Sequence, residues 1–142
     1  MTSSNLLDFK RFMQQRDEVA RAYVRGDATP LDRIVAREGE ATFFPSGGGS
    51  FRGAATVSST YERDAKAFAP GGDSRFEILQ LAASDGMAYW VGFQRANAYL
   101  IGRPQEVPFD LRVTEIFRRE GESWKLVHRH ADPLVAPAEE QT

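Results

Sequence analysis

The sequence predicts a single α+β domain, with three N-terminal helices packed on a curled antiparallel sheet. Three observations lead there. Apolar residues recur at helical spacing up to Phe68, and from residue 74 the spacing becomes extended. The extended part is cut by turn signals at Asp85-Gly86, Gly102-Arg103-Pro104 and Glu120-Gly121-Glu122. A length of 142 residues suits one core, with the domain expected over 5–132.

Residues 5–25 read as the first helix, because Phe9, Phe12, Met13, Val19, Ala20 and Tyr23 form one apolar stripe. Arg16 interrupts that stripe and either snorkels out or reaches into a cavity. Gly26 is a stop signal, and Thr29-Pro30 opens a short second helix over about 30–37. A short strand follows over 41–44, bounded by Pro45 and a flexible turn at Ser46-Gly-Gly-Gly-Ser50. The third helix spans 54–68, burying Ala54, Val57, Tyr61, Ala65 and Phe68, and Pro70-Gly71-Gly72 ends it. Four strands come next, over 75–83, 87–100, 109–119 and 123–131. The Pro-, Ala- and Glu-rich stretch 133–142 is expected to be a disordered tail.

Composition narrows the partners. A formal net charge of -2 gives no field to attract nucleic acid or an anionic membrane. With no cysteine, disulfides, thiolate nucleophiles and cysteine metal sites are excluded. There is no apolar signal core near the start and no run near the ~20 apolar residues of a bilayer span, so a cytoplasmic protein is the expectation. Basic charge is carried by fifteen Arg against three Lys. Arginine suits bidentate recognition of carboxylate or phosphate, but on solvated helix faces it needs no special role.

The last two strands are the most informative. By simple alternation Trp124 and Leu126 share one face, with Lys125, Val127 and Arg129 on the other. The preceding strand is apolar on both sides, with Leu111, Val113 and Phe117 on one and Ile116 on the other. A sheet covered on one face only should not look so, which predicts a homodimer through the outer sheet face, with Val127 and Arg129 in it.

The order of elements resembles the nuclear transport factor 2-like superfamily, in its SnoaL-like and ketosteroid-isomerase-like branch. Gly26-Asp27, Phe51-Arg52-Gly53-Ala54 and the final hairpin carry the resemblance, the last through Arg112-Val-Thr-Glu-Ile-Phe-Arg-Arg119, Gly121 and Trp124-Lys-Leu-Val-His128-Arg-His130. It covers about residues 6–132 and implies a cone-shaped, cystatin-like roll with a pocket between concave sheet and helices, usually dimeric through the sheet. Its members range from isomerases, dehydratases and cyclases to non-catalytic modules such as the association domain of calcium/calmodulin-dependent kinase II. The fold therefore implies no single activity.

His128 and His130, the only histidines, lie two apart on one strand and point the same way. If Trp124 faces the helices, so do both imidazoles, and a cavity histidine suits proton transfer. A three-residue loop at Glu120–Glu122 would set Arg112 opposite His130, able to hold an anion or carbonyl; a four-residue loop would turn Glu115 inward instead. The first is favoured, partly because Arg-x-Thr and His-x-His occur together in the family. His130, Arg112 and Tyr61 are then the candidate catalytic residues, and Tyr23, Phe43, Phe51, Phe68, Trp90 and His128 the candidate pocket wall. Asp132 is read as a turn residue before Pro133 rather than a carboxylate at the pocket mouth.

The tyrosine-plus-two-aspartates set of a steroid isomerase and the Asp-Arg-Asp set of an epoxide hydrolase are not found at matching positions. No third ligand supports a histidine metal site, and Gly47–Gly49 lacks the lysine of a phosphate loop, so neither metal nor nucleotide cofactor is expected. The expected function is small-molecule binding, with cofactor-independent isomerase, dehydratase or cyclase chemistry, or a non-catalytic ligand-binding or oligomerisation role.

Overall fold

The computed structural model describes residues 4–135. Its elements are α1 (Ser4–Tyr23), α2 (Thr29–Asp32), β1 (Thr42–Phe44), β2 (Phe51–Arg52), α3 (Ala54–Ala65), β3 (Phe68–Ala83), β4 (Met87–Leu100), β5 (Glu106–Glu120) and β6 (Ser123–Pro133). The six strands form one sheet in the order β2-β1-β6-β5-β4-β3. β3 to β6 are an antiparallel meander, as the hairpin signals predict, but β1 runs parallel to β6, so the sheet is mixed. The α+β class stands.

α1 ends where the chain must turn sharply. Gly26 has φ 94° and sits so close to the Phe68 carbonyl that a Cβ would lie 2.6 Å from its oxygen. No other residue type meets both demands. The second helix is shorter than the expected 30–37, because residues 34–36 leave it to pair with β6: Leu126 donates to the Ile34 carbonyl, and Ala36 donates to that of Leu126. The third helix stops at Ala65 rather than 68, and β3 starts at Phe68 rather than 75. Pro70–Gly72 does not separate helix from strand; it forms an irregularity inside β3, where pairing shifts between Ala69 and Asp73. β6 continues to Pro133, so the tail expected from that point begins inside a strand; residues 136–142 lie outside the described residues.

Burial follows the stripes. Phe9 of α1 meets Phe117 of β5 and Trp124 of β6 edge-on, with ring centroids 5.4 and 5.5 Å apart. Together with Phe12 these rings fill one end of the space between helix and sheet. Each such side chain contributes about 1.5–3 kcal/mol on burial. Toward the other end the inward positions change character: β4 offers Gln94, Ala96 and Ala98, and β6 offers Ala131. Small side chains there leave the space between the layers unfilled.

Candidate functional site

The hairpin that joins β5 to β6 decides which side chains face the helices. Its loop is only Gly121-Glu122, with Glu120 opposite Ser123 and Gly121 at φ 63°. Trp124 and Leu126 face inward, as expected. Phe117 then pairs with Leu126 but Ile116 with His128, so Val127 is an extra residue on β6. This bulge sits where the partner on the other side of β6 changes from residues 34–36 to β1. It reverses every later side chain. His128 and His130 turn outward, and Arg129 turns in.

Arg129 arrives at a polar cluster deep inside the domain. Glu115 of β5 has no exposed surface. Its Oε1 accepts from Arg16 Nε at 3.0 Å and from Trp90 Nε1 at 2.8 Å; its Oε2 accepts from Arg16 Nη2 and Arg129 Nη1, each at 2.7 Å. Arg129 Nη2 donates to Gln94 Oε1 at 2.7 Å, and Gln94 Nε2 donates to Ser74 Oγ at 3.0 Å. Burial alone would raise the Glu115 pKa, but the Arg16 and Arg129 guanidiniums outweigh it and hold the carboxyl at about 2. Glu115 is therefore a fixed anion between two cations, not a proton acceptor.

Above this cluster lies a cavity of about 170 Å³ between α1, α3 and the sheet. Arg16, Arg129 and Gln94 form its polar wall, while Tyr23, Phe43, Tyr61, Phe68, Phe109 and Leu111 form its apolar wall. Ser46 is exposed and Asp64 half-buried where it meets solvent. Tyr23 Oη donates to the Tyr61 carbonyl at 3.0 Å. The Tyr61 hydroxyl is different: the residue is 2% exposed and its oxygen has no hydrogen-bond partner among the described residues. Burial pushes both phenols well above the usual tyrosine range, so both are neutral donors.

Of the candidates read from the sequence, Tyr61, Tyr23, Phe43 and Phe68 line this cavity. Trp90 lies beneath it, holding Glu115, and Phe51 stacks on the back of Phe43 at 6.3 Å. The histidines and Arg112 do not join them. Arg112 pairs across the strands with Asp132 rather than His130, and its guanidinium grips that carboxylate at 2.7 and 2.9 Å with 62% of the side chain exposed. His130 Nε2 lies 3.6 Å from Asp132 Oδ2 on the same outer face, and His128 Nδ1 meets Thr42 Oγ1 at 2.7 Å. The two-residue loop and the bulge each shift the pairing by one. Arg112 and His130 thus keep a common face, but it is the opposite one from Tyr61. Asp132 is the exposed-face partner of Arg112 rather than a turn residue. Arg129, read as an outer-face residue, is the main gain inside. Among the described residues no group of three His, Asp or Glu side chains is placed to hold a metal ion, and no helix is long and apolar enough to cross a membrane.

Comparison with known proteins places this geometry. No curated protein matches the chain. Among solved structures it is similar to a nuclear transport factor 2-like superfamily protein of Salmonella enterica, with TM-score 0.75, 13% identity, and 94% of this chain and 96% of that one covered. A candidate dehydratase of the NTF2-like family from Streptomyces avermitilis gives TM-score 0.73 and 19% identity, over 92% and 98% of the two chains. A candidate calcium/calmodulin-dependent protein kinase type II association domain from Thiobacillus denitrificans gives 0.67 and 17%, over 85% and 93%. At these identities the likeness is one of fold. The family model described as SnoaL-like domain matches residues 13–136, and the chain belongs to the SnoaL-like domain family, within the NTF2-like fold.

Proposed function

We propose that this SnoaL-like domain binds a small, partly apolar molecule in the cavity between its helices and sheet. The Tyr61 hydroxyl carries the reading. A buried O–H without a partner costs about 1–3 kcal/mol, and a ligand acceptor on the cavity side would satisfy it. Apolar walls with a few converging polar groups are the usual composition of a binding site. Binding without turnover fits the residues best, because Glu115 is locked by its donors, the tyrosines are neutral and both histidines face the other way. The test is a thermal-shift and NMR screen of single-ring compounds, neutral and anionic, against the protein and Ala131→Leu, which fills the cavity. Hits that vanish in the variant support the proposal; no hits, or hits that survive, refute it.

A second reading rests on Asp64, a carboxylate on the cavity rim. With Tyr61 donating to a carbonyl, Asp64 could accept a proton in isomerase- or dehydratase-type chemistry. Asp64→Asn would abolish such turnover while leaving ligand binding intact.

We also propose a homodimer through the outer sheet face. Leu79, Met87, Tyr89 and Phe44 are exposed there, and Val91, Phe93 and Ile116 lie on the same face beside the Arg112–Asp132 pair. Arg129, expected in that surface from the sequence, plays no part in it.

A further inference from the structure

The buried cluster behind the cavity carries unequal charge. Arg16 and Arg129 contribute two positive charges and Glu115 one negative, leaving a surplus of one cation. Other carboxylates do not offset it: Asp64, the one acidic residue on the cavity lining, pairs with Arg63 at 3.5 Å, and no ion pair among the described residues joins it to Arg16 or Arg129. Glu115 already accepts four hydrogen bonds, so it has little capacity left for either guanidinium. Arg129 spends Nη1 and Nη2 on Glu115 and Gln94, and its Nε makes no hydrogen bond among the described residues; the same is true of Arg16 Nη1. Both guanidiniums line the cavity, so an anion bound there balances the surplus charge and accepts from the spare N–H groups.

Resting on the proposed function, and naming its ligand class, we propose that the cavity takes a monocarboxylate with a single-ring apolar body. The carboxylate supplies the missing negative charge toward Arg129 and Arg16 and accepts from the Tyr61 hydroxyl. The size follows from the walls. An apolar cavity of ~150 Å³ holds one benzene ring in another protein, and this one, at about 170 Å³, has room for a ring and its carboxyl group. Phe43, Tyr23 and Phe68 line the space for that body, and Tyr61 packs on Phe43 with ring centroids 4.5 Å apart.

The experiment compares benzoate, its neutral isostere benzamide, and formate, by isothermal titration of the full chain. Benzoate is expected to bind one per chain, with benzamide at least about tenfold weaker because a charge-assisted hydrogen bond is roughly twice as strong as a neutral one, and formate at least about tenfold weaker because it buries no ring. Two variants follow. Arg129→Gln leaves Arg16 and Glu115 as a balanced pair and should erase the preference for benzoate over benzamide. Tyr61→Phe should weaken benzoate by about tenfold through loss of one donor. Should Arg129→Gln fail to fold, the wild-type ratio and Tyr61→Phe decide. Equal binding of benzoate and benzamide overturns the charge assignment and leaves the cavity as a binding site. Formate binding as well as benzoate overturns the ring. Neutral rings binding while benzoate does not overturns the inference alone, and no binding by any ring compound removes the proposed function with it.

Discussion

Tyr61→Phe makes a sharp test because it removes one atom and nothing else. The hydroxyl is buried and lacks a partner among the described residues, so no protein group replaces the hydration it loses on folding. Deleting it should stabilise the ligand-free protein by about 1 kcal/mol, at the low end of the cost of an unsatisfied buried group. For 142 residues the entropy of unfolding is about 0.3 kcal/mol/K, so the midpoint should rise by roughly 3 °C. The packing of Tyr61 on Phe43 and Tyr23 is unchanged by the substitution, since the ring remains. Urea unfolding followed by far-UV circular dichroism, with parallel calorimetry, measures both quantities. A loss of 1 kcal/mol or more would refute the reasoning, because it would mean that the hydroxyl is held by a partner, water included, worth more than its burial costs.

Glu115→Gln should be severely destabilising at neutral pH, by roughly 3–5 kcal/mol, since two buried guanidiniums lose their shared counter-charge. The folded Glu115 pKa of about 2 lies below its ordinary 4.5, so its stabilisation is complete above pH 4.5 and is lost as pH falls toward 2. The difference is on the order of 3 kcal/mol, and the glutamine variant should lack that part of the acid slope in denaturant titrations between those limits. On the outer face, Arg112→Ala should leave the urea unfolding midpoint nearly unchanged, because its pair with Asp132 is solvent-exposed. Neither it nor His130→Ala should alter ligand affinity; a tenfold loss in either would move the site to that face. Leu79→Lys places a charge among the exposed apolar residues and should shift sedimentation from dimer to monomer with no change in melting of the isolated domain.

Much of this architecture is legible in the sequence because it rests on local signals. The stripe of α1, the break at Gly26 and the Asp85-Gly86 hairpin each depend on a few neighbouring residues, and each stands in the structure. Arg16 is also visible as an interruption of an apolar stripe, although its choice between solvent and cavity depends on Glu115, 99 residues away. The faces of β6 are not legible. A bulge adds one residue with no change in composition, and Val127 looks like any strand residue. What creates it is non-local: Leu126 bonds to residues 34–36 while His128 to His130 pair with β1. Strict alternation therefore assigns Arg129 and both histidines to the wrong sides. A signal for Glu115 does exist in hindsight, since a carboxylate alternating with Val113 and Phe117 on an inward face requires a buried cation.

A crystal structure of the protein soaked with benzoate tests the binding reading most directly. The prediction is one ring among Tyr23, Phe43 and Phe68, with carboxylate oxygens within hydrogen-bond reach of Tyr61 Oη and of Arg129 or Arg16. Benzoate bound instead at Arg112 and His130 on the outer sheet face, or a cavity closed by rearranged side chains, would contradict it.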